Sequence, residues 1–203
     1  MENSSVNKGR RRFLIAATSV VGAVGVTGMA TPFLNSWNPS ERAKAAGAPV
    51  EFNVSRLQEG QQAVVVWRKK PIWVVNRSEK MLNDLTSNDE LLRDPTSEEH
   101  AEMQPDYALN AKRTREGHDR FLVLIGICTH LGCSPDYRPD LAPADLGSNW
   151  KGGWLCACHG SKFDLAGRVF QNVPADRNLE VPPYSYKDDN TILIGIDERG
   201  EAA

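Results

Sequence analysis

The sequence predicts a mostly β, antiparallel domain preceded by a single membrane-spanning helix. Three features of its 203 residues indicate this arrangement. Residues 13–34 carry no charged side chain, and residues 50–75 and 121–127 contain β-branched and aromatic runs. The stretch between Cys128 and Ser161 is short and rich in glycine, proline and cysteine. The formal net charge of −2 gives no indication of a nucleic-acid-binding protein.

Residues 13–34 are long enough to cross a lipid bilayer. A helix rises about 1.5 Å per residue, so about 20 apolar residues span a hydrocarbon core about 30 Å thick. Small side chains recur along the run and would let a helix of a membrane partner approach closely. Lys8 and the three arginines at 10–12 should keep residues 1–12 in the cytoplasm, which places the rest of the chain across the membrane.

Residues 10–14 (RRRFL) resemble a twin-arginine export signal, which is a bacterial address. Basic residues also flank ordinary membrane anchors, so the motif alone leaves both interpretations open. Cleavage of a signal peptide is a further alternative, because residues 43–45 (AKA) have an A-x-A pattern. The hydrophobic run exceeds the roughly 7–15 residues of a signal-peptide core and ends well before Ala45. We therefore predict a retained anchor.

The chain after the anchor divides into a linker and a folded domain. Residues 35–49 are polar and alanine-rich without hydrophobic periodicity, which predicts a flexible tether. Residues 50–203 then form the domain outside the membrane. Its first strand is indicated by alternation over residues 50–54. The runs at 63–67 and 72–75, separated by a basic turn, predict an antiparallel hairpin.

Residues 78–116 are acidic and rich in loops. Ser87 and Thr96 are each followed three residues later by glutamate, a capping-box spacing that predicts short helices covering one face of the sheet. His100 and His118 have no partner at metal-ligand spacing, so we interpret both as surface residues.

Two apolar runs enclose the remaining segment. Residues 121–127 (FLVLIGI) predict a buried strand that leads directly into the first cysteine. Residues 191–196 (TILIGI) predict a similar strand and a candidate neighbour in the same sheet. The residues at about 127–175 are then a small subdomain inserted near the C-terminal end of the β domain.

All four cysteines and two of the four histidines fall in residues 128–133 (CTHLGC) and 156–161 (CACHGS). A structural zinc site or two plain disulfides are the alternatives without a redox role. Zinc sites usually have C-x2–4-C and H-x3–5-H spacing within each arm. Here each run offers one cysteine and one histidine at close range plus an extra cysteine, which disfavours zinc.

These two runs closely resemble the two cluster-binding boxes of the Rieske protein of ubiquinol–cytochrome c oxidoreductase, respiratory complex III, of the bacterial type. The similarity continues through residues 167–168 (GR), 178–180 (NLE) and 182–184 (PPY). With the anchor it covers nearly the whole chain and implies a Rieske-type antiparallel β-sandwich with one [2Fe–2S] cluster. The ligands that the resemblance implies are Cys128, His130, Cys156 and His159.

The resemblance also assigns roles to residues around the ligands. Cys133 and Cys158 would form the family's disulfide, which suits an oxidising compartment such as the periplasm. Rieske ferredoxins and ring-hydroxylating oxygenases generally lack these two cysteines. Ser161 matches a serine that donates to a bridging sulfide. Phe163 stands where many relatives have a tyrosine that donates to a ligand sulfur. Because phenylalanine lacks this donor, we expect a reduction potential lower than in the relatives that have tyrosine.

The two ligand histidines are the predicted catalytic residues. Two thiolates and two neutral imidazoles leave an oxidised cluster neutral, whereas four thiolates would make it a dianion. Rieske centres accordingly lie at about −150 to +300 mV, against about −400 mV for plant-type ferredoxins. The free nitrogen of each imidazole can hold a proton, so His130 and His159 would face ubiquinol and take an electron and a proton together.

For two further residues, the predicted functional role has a purely structural alternative. Leu131 is predicted to line the quinol-docking surface, with simple packing as the alternative. Pro174 resembles the family's proline loop over the cluster, with a plain turn as the alternative. The sequence assigns no function to the loop at 134–153.

The implied protein is an electron-transfer subunit, active only in an assembled complex, that passes an electron from ubiquinol to a c-type haem. Its expected partners are cytochrome b and cytochrome c1-type subunits of a dimeric complex in the bacterial inner membrane. The head would lie in the periplasm, and the tether would let it move between donor and acceptor. A small Rieske subunit of another exported oxidoreductase, such as arsenite oxidase, is the alternative function.

Overall fold

The computed structural model describes residues 7–40 and 47–198. These residues belong to two separate units, one with the N-terminal helix and one with the β domain. Part of the predicted tether, residues 41–46, lies outside the described residues, as do residues 1–6 and 199–203.

The N-terminal unit contains helix α1, Lys8–Ser36, which includes the whole predicted anchor. Asn7 begins it, because its side chain accepts a hydrogen bond from the backbone N–H of Arg10 at 3.1 Å. The helix continues through Asn35 and Ser36, two residues into the predicted tether. Within residues 7–40 and 47–198, α1 is the one helix long and apolar enough to cross a membrane.

The β domain contains three antiparallel sheets of three strands each, with orders β1-β9-β8, β2-β3-β4 and β5-β6-β7. It is mostly β, as the sequence predicts. The strands are β1 (Val50–Asn53), β2 (Gln62–Trp67), β3 (Lys70–Asn76), β4 (Phe121–Ile125), β5 (Asp136–Arg138), β6 (Gly153–Cys156), β7 (Ser161–Asp164), β8 (Tyr184–Asp188) and β9 (Thr191–Ile194).

The predicted hairpin is confirmed as β2 and β3, which pair antiparallel. Arg68 and Lys69 close it with φ angles of 49° and 62°, the left-handed conformation that a type I′ hairpin turn requires at both positions. The Arg68 guanidinium lies 4.7 Å from the ring centroid of Trp67, and this cation–π contact helps to hold the turn.

The predicted pairing of residues 121–127 with residues 191–196 is wrong. Strand β4 pairs with β3, whereas β9 pairs with β1 on one side and with β8 on the other. Both strands bury apolar side chains, so their sequences look alike although they belong to different sheets.

The covering segment, residues 78–116, forms helix α2 (Glu79–Asp84) and three 3₁₀ turns at Leu85–Leu91, Ala101–Met103 and Asp106–Ala108. The predicted helix starts are misplaced. Ser78 caps α2, accepting from the Met81 N–H at 3.3 Å, while Ser87 lies inside the first 3₁₀ turn. Asp94, rather than Thr96, accepts the backbone N–H groups that follow.

A fully buried arginine attaches the covering segment to the inserted subdomain. Arg168 forms an ion pair with Asp164 in β7 at 2.7 Å, and neither side chain is exposed to solvent. The same guanidinium donates to the carbonyl oxygens of Leu85 and Pro95 in the covering segment. A buried charge of this kind is tolerated only when its partners are in place.

Two stacked indoles join the inserted sheet to the sheet beneath it. The rings of Trp73 (β3) and Trp154 (β6) lie 5.3 Å apart and within 8° of parallel. Trp154 Nε1 donates to Gln62 Oε1 at 2.7 Å. A Cβ atom at Gly126 would come within 2.2 Å of the Trp73 indole, so only glycine fits there.

Candidate metal centre

Two similar loops carry the cysteine and histidine side chains. The first loop follows β4 and begins at Cys128, and the second begins at Cys156, the last residue of β6. In each, a glycine four residues later, Gly132 or Gly160, donates its N–H to the carbonyl of that cysteine, at 3.0 Å and 2.8 Å respectively. Both glycines have φ near +80°, a conformation that glycine adopts without steric cost.

The free thiols lie at the base of the loops. Cys128 and Cys156 are 3% and 2% exposed and belong to the same hydrophobic core as Trp73 and Trp154. The Cys128 sulfur faces the Cys156 thiol, the Ser161 hydroxyl and the backbone N–H of His130. Burial raises the pKa of the Cys128 thiol, and the adjacent Cys156 thiol raises it further. A thiolate pair here therefore calls for a cation between the sulfurs, as a bound metal supplies.

The two histidines lie at the outer end of the same loops. The ring centroids of His130 and His159 are 4.9 Å apart and the rings are nearly perpendicular. His159 is exposed and His130 is half-buried. The structure thus pairs the two free thiols at the base of the loops and the two imidazoles at their outer end.

A disulfide joins Cys133 in the first loop to Cys158 in the second. The sulfurs of these two residues and of Cys156 lie within 4.8 Å of one another. Because bonded sulfurs are not thiolate ligands, the disulfide leaves Cys128 and Cys156 as the sulfur donors. Two thiols and two imidazoles are the donor set of a Rieske [2Fe–2S] cluster, in which the histidines replace two cysteines on one iron.

A third segment, residues 172–177, is attached to both loops. Ser161 is fully buried, and its Oγ accepts the backbone N–H of Ala175 at 3.0 Å. Thr129 Oγ1 donates to the carbonyl of Arg177 at 2.7 Å. Pro174, directly before the first of these two anchor points, is exposed. Thr129 is not among the site residues predicted from the sequence, although its place between two predicted ligands is a signal that could have identified it.

Phe163 and Leu131 have opposite environments. Phe163 is fully buried in β7, opposite Trp154 in the sheet register. Leu131, between His130 and the loop glycine, is 71% exposed. This exposure argues against the packing role for Leu131 and is compatible with a contact to another molecule.

Known proteins match this chain along its whole length. Residues 1–40 match the model for the ubiquinol–cytochrome c reductase Fe–S subunit TAT signal, and residues 47–184 match the Rieske [2Fe–2S] domain. The ubiquinol–cytochrome c reductase iron–sulfur subunit of Allochromatium vinosum is 59% identical over 202 residues, which cover 100% of this chain and 95% of the relative. The subunit of the same name from Bradyrhizobium diazoefficiens is 40% identical, covering 92% of this chain and 94% of the relative.

Among solved structures, a chain of a hyperthermophilic respiratory Complex III is 26% identical with a TM-score of 0.47, and the match covers 87% of this chain and 97% of the other. The family-model matches and the curated relatives confirm the predicted resemblance, the fold class and the [2Fe–2S] cofactor. The chain belongs to the Rieske iron–sulfur subunits of ubiquinol–cytochrome c reductase.

Proposed function

We propose that this subunit takes an electron from ubiquinol and delivers it to a c-type haem, through a cluster held by Cys128, His130, Cys156 and His159. One observation carries the proposal: two loops joined by a disulfide each supply one buried free thiol and one imidazole, and the thiols and the imidazoles form two facing pairs. When bound there, the [2Fe–2S] group supplies one-electron chemistry at a potential above that of all-cysteine clusters.

The surface position of the histidines suits contact with a hydroxyl of the quinol. An imidazole that uses one nitrogen as a ligand keeps the other for a hydrogen bond or a proton. His159, which is exposed, and His130, which is half-buried, would offer that second nitrogen to the hydroxyl. Leu131 adds an exposed apolar side chain directly beside His130, suited to docking at an apolar quinol pocket.

We further propose that the β domain lies in the periplasm and works with cytochrome b and cytochrome c1-type subunits in a dimeric complex. Several observations support this. The match of residues 1–40 to a TAT signal model supports export, and the disulfide suits an oxidising compartment. Residues 37–49, between the end of α1 and β1, span at most about 45 Å when extended, a reach that would let the head move between two partners.

Low-temperature electron paramagnetic resonance of the reduced full-length protein, with iron and zinc analysis, tests the proposal. We expect about two irons per chain and a rhombic signal whose average g value is clearly below that of all-cysteine clusters. Zinc without such a signal would overturn the assignment and restore the alternative of a structural zinc module.

Replacing Phe163 by tyrosine should raise the midpoint potential of the cluster. A tyrosine hydroxyl donating to a ligand sulfur would stabilise the added negative charge of the reduced state. A net hydrogen-bond contribution of about 0.5–1.5 kcal/mol corresponds to a rise of about 20–60 mV for one electron. Redox titration monitored by the resonance signal measures the change.

Phe170→Tyr is the matched control for this substitution. Phe170 stacks on Trp150 with 5.8 Å between ring centroids, and neither ring belongs to the core that contains the free thiols. Its variant should keep the wild-type midpoint. A Phe163→Tyr protein with an intact signal and an unchanged midpoint would contradict the prediction.

A further inference from the structure

A free thiol lies beside the disulfide that joins the two loops. Cys156 is buried and unbonded, and its sulfur lies within 4.8 Å of both sulfurs of the Cys133–Cys158 bond. Thiolates break disulfides by attacking one of the two sulfurs, and the Cys156 sulfur lies close to both sulfurs of this bond.

We propose that Cys156 attacks the Cys133–Cys158 disulfide whenever its sulfur holds no iron, so that the correct disulfide persists only in a chain loaded with its cluster. The proposal rests on the proposed function for the assignment of Cys156 as a ligand. A sulfur that donates its electron pair to iron is not free to attack, and cluster binding therefore protects the disulfide.

The exchange needs no oxidant. The Cys156 thiolate forms a bond to one sulfur of the disulfide, and the other sulfur departs with the electron pair of the broken bond and takes up a proton from water. The number of disulfides is one before and after, and the number of free thiols is also unchanged.

Attack at Cys133 is the favoured direction. Cys156 and Cys158 are separated by a single residue, so a bond between them would close a small and constrained ring. Attack at Cys133 instead forms Cys133–Cys156 and releases Cys158, whose side chain is exposed to the water that protonates it. The new bond still joins the same two loops, so the domain keeps its cross-link but loses a predicted ligand.

This chemistry sets an order for maturation of the subunit. A chain that is oxidised before it receives iron is diverted to the exchanged disulfide and does not bind the cluster. A chain that is loaded first keeps Cys156 on iron, so a disulfide between Cys133 and Cys158 is retained. Export of an already folded chain, to which the TAT signal match of residues 1–40 points, satisfies that order.

Differential labelling of the full-length protein in detergent tests the proposal. Iron is removed with a chelator without reductant, free thiols are trapped with N-ethylmaleimide in denaturant at acid pH, and the disulfide is then reduced and labelled with iodoacetamide. Trypsin cleavage after Lys151 and Lys162 releases one peptide with both Cys156 and Cys158, so fragment masses locate each label. We expect the maleimide on Cys158 in most iron-depleted chains and on Cys156 in loaded chains.

Two matched variants test the role of the thiol itself. Cys128→Ser and Cys156→Ser each remove one predicted ligand, but only the first retains the nucleophile. We expect the maleimide on Cys158 in Cys128→Ser, and an intact Cys133–Cys158 bond in Cys156→Ser. Maleimide on Cys156 in both the iron-depleted wild type and Cys128→Ser would overturn the proposal. If the isolated wild type contains no iron, the proposed function fails, while the two variants still decide the exchange.

Discussion

His159→Ala is expected to abolish cluster binding while the β domain stays folded. Loss of partners in the second coordination shell already costs about 10–100-fold in metal affinity, so loss of a direct ligand should cost at least about 100-fold. His159 is exposed at the outer end of its loop, and its removal leaves no buried group unsatisfied. Iron content and the resonance signal of the reduced protein measure the loss, and a thermal melt verifies the fold.

The other histidines of the chain provide controls for this variant. His118 stacks on Tyr186 with 4.2 Å between ring centroids, and His100 lies 3.4 Å from a Glu102 carboxylate oxygen. Their alanine variants should retain the full iron content, and His130→Ala should behave like His159→Ala. Wild-type iron in His159→Ala would refute the proposed ligand set.

Arg168→Met is expected to destabilise the β domain by about 3–5 kcal/mol, the typical cost of breaking a buried ion pair by removing one partner. The substitution leaves the Asp164 carboxylate fully buried without its cation, and it deletes the hydrogen bonds to the Leu85 and Pro95 carbonyls. For a domain of this size the loss corresponds to a decrease in Tm of about 6–20 °C. Thermal unfolding of the loaded full-length protein, followed by circular dichroism, measures it.

Two variants test whether the loss of stability in Arg168→Met comes from the unpaired buried charge. Arg177→Met breaks an ion pair with Asp176 that is exposed, so its cost should stay below about 1 kcal/mol. Asp164→Leu combined with Arg168→Met removes both buried charges and should recover part of the stability lost in Arg168→Met. If Arg168→Met lowers the Tm no more than Arg177→Met does, the structural role of the Arg168–Asp164 ion pair is refuted.

Local patterns predicted the elements whose structure depends on local contacts. The hairpin of β2 and β3 was evident from two β-branched runs around a short basic turn. The strand partner of β9 was not evident, because strand pairing joins residues far apart in the chain and both apolar runs bury side chains. In the covering segment, the helix begins at Ser78 and not at Ser87. The spacing of Ser87 and a glutamate three residues later is not specific to helix starts, because here it occurs inside a 3₁₀ turn.

The candidate site was predictable to the extent that its chemistry resides in side chains. Cysteine and histidine at close spacing mark a metal site by residue type alone. The anchoring of both loops to residues 172–177 was not predictable in this way. It depends on the N–H of Ala175 and the carbonyl of Arg177, and every residue carries such groups.

The indole stack of Trp73 and Trp154 has a consequence for the speed of electron transfer. Electron transfer is slowed when the surrounding atoms must rearrange as charge arrives. Trp154 is held by Trp73, by Gln62 and by the backbone of its own sheet, and the chain reaches Cys156 only two residues later. The missing Cβ of Gly126 leaves room for the Trp73 indole of this stack. We expect a scaffold restrained in this way to limit the rearrangement of the loops each time the subunit changes its redox state.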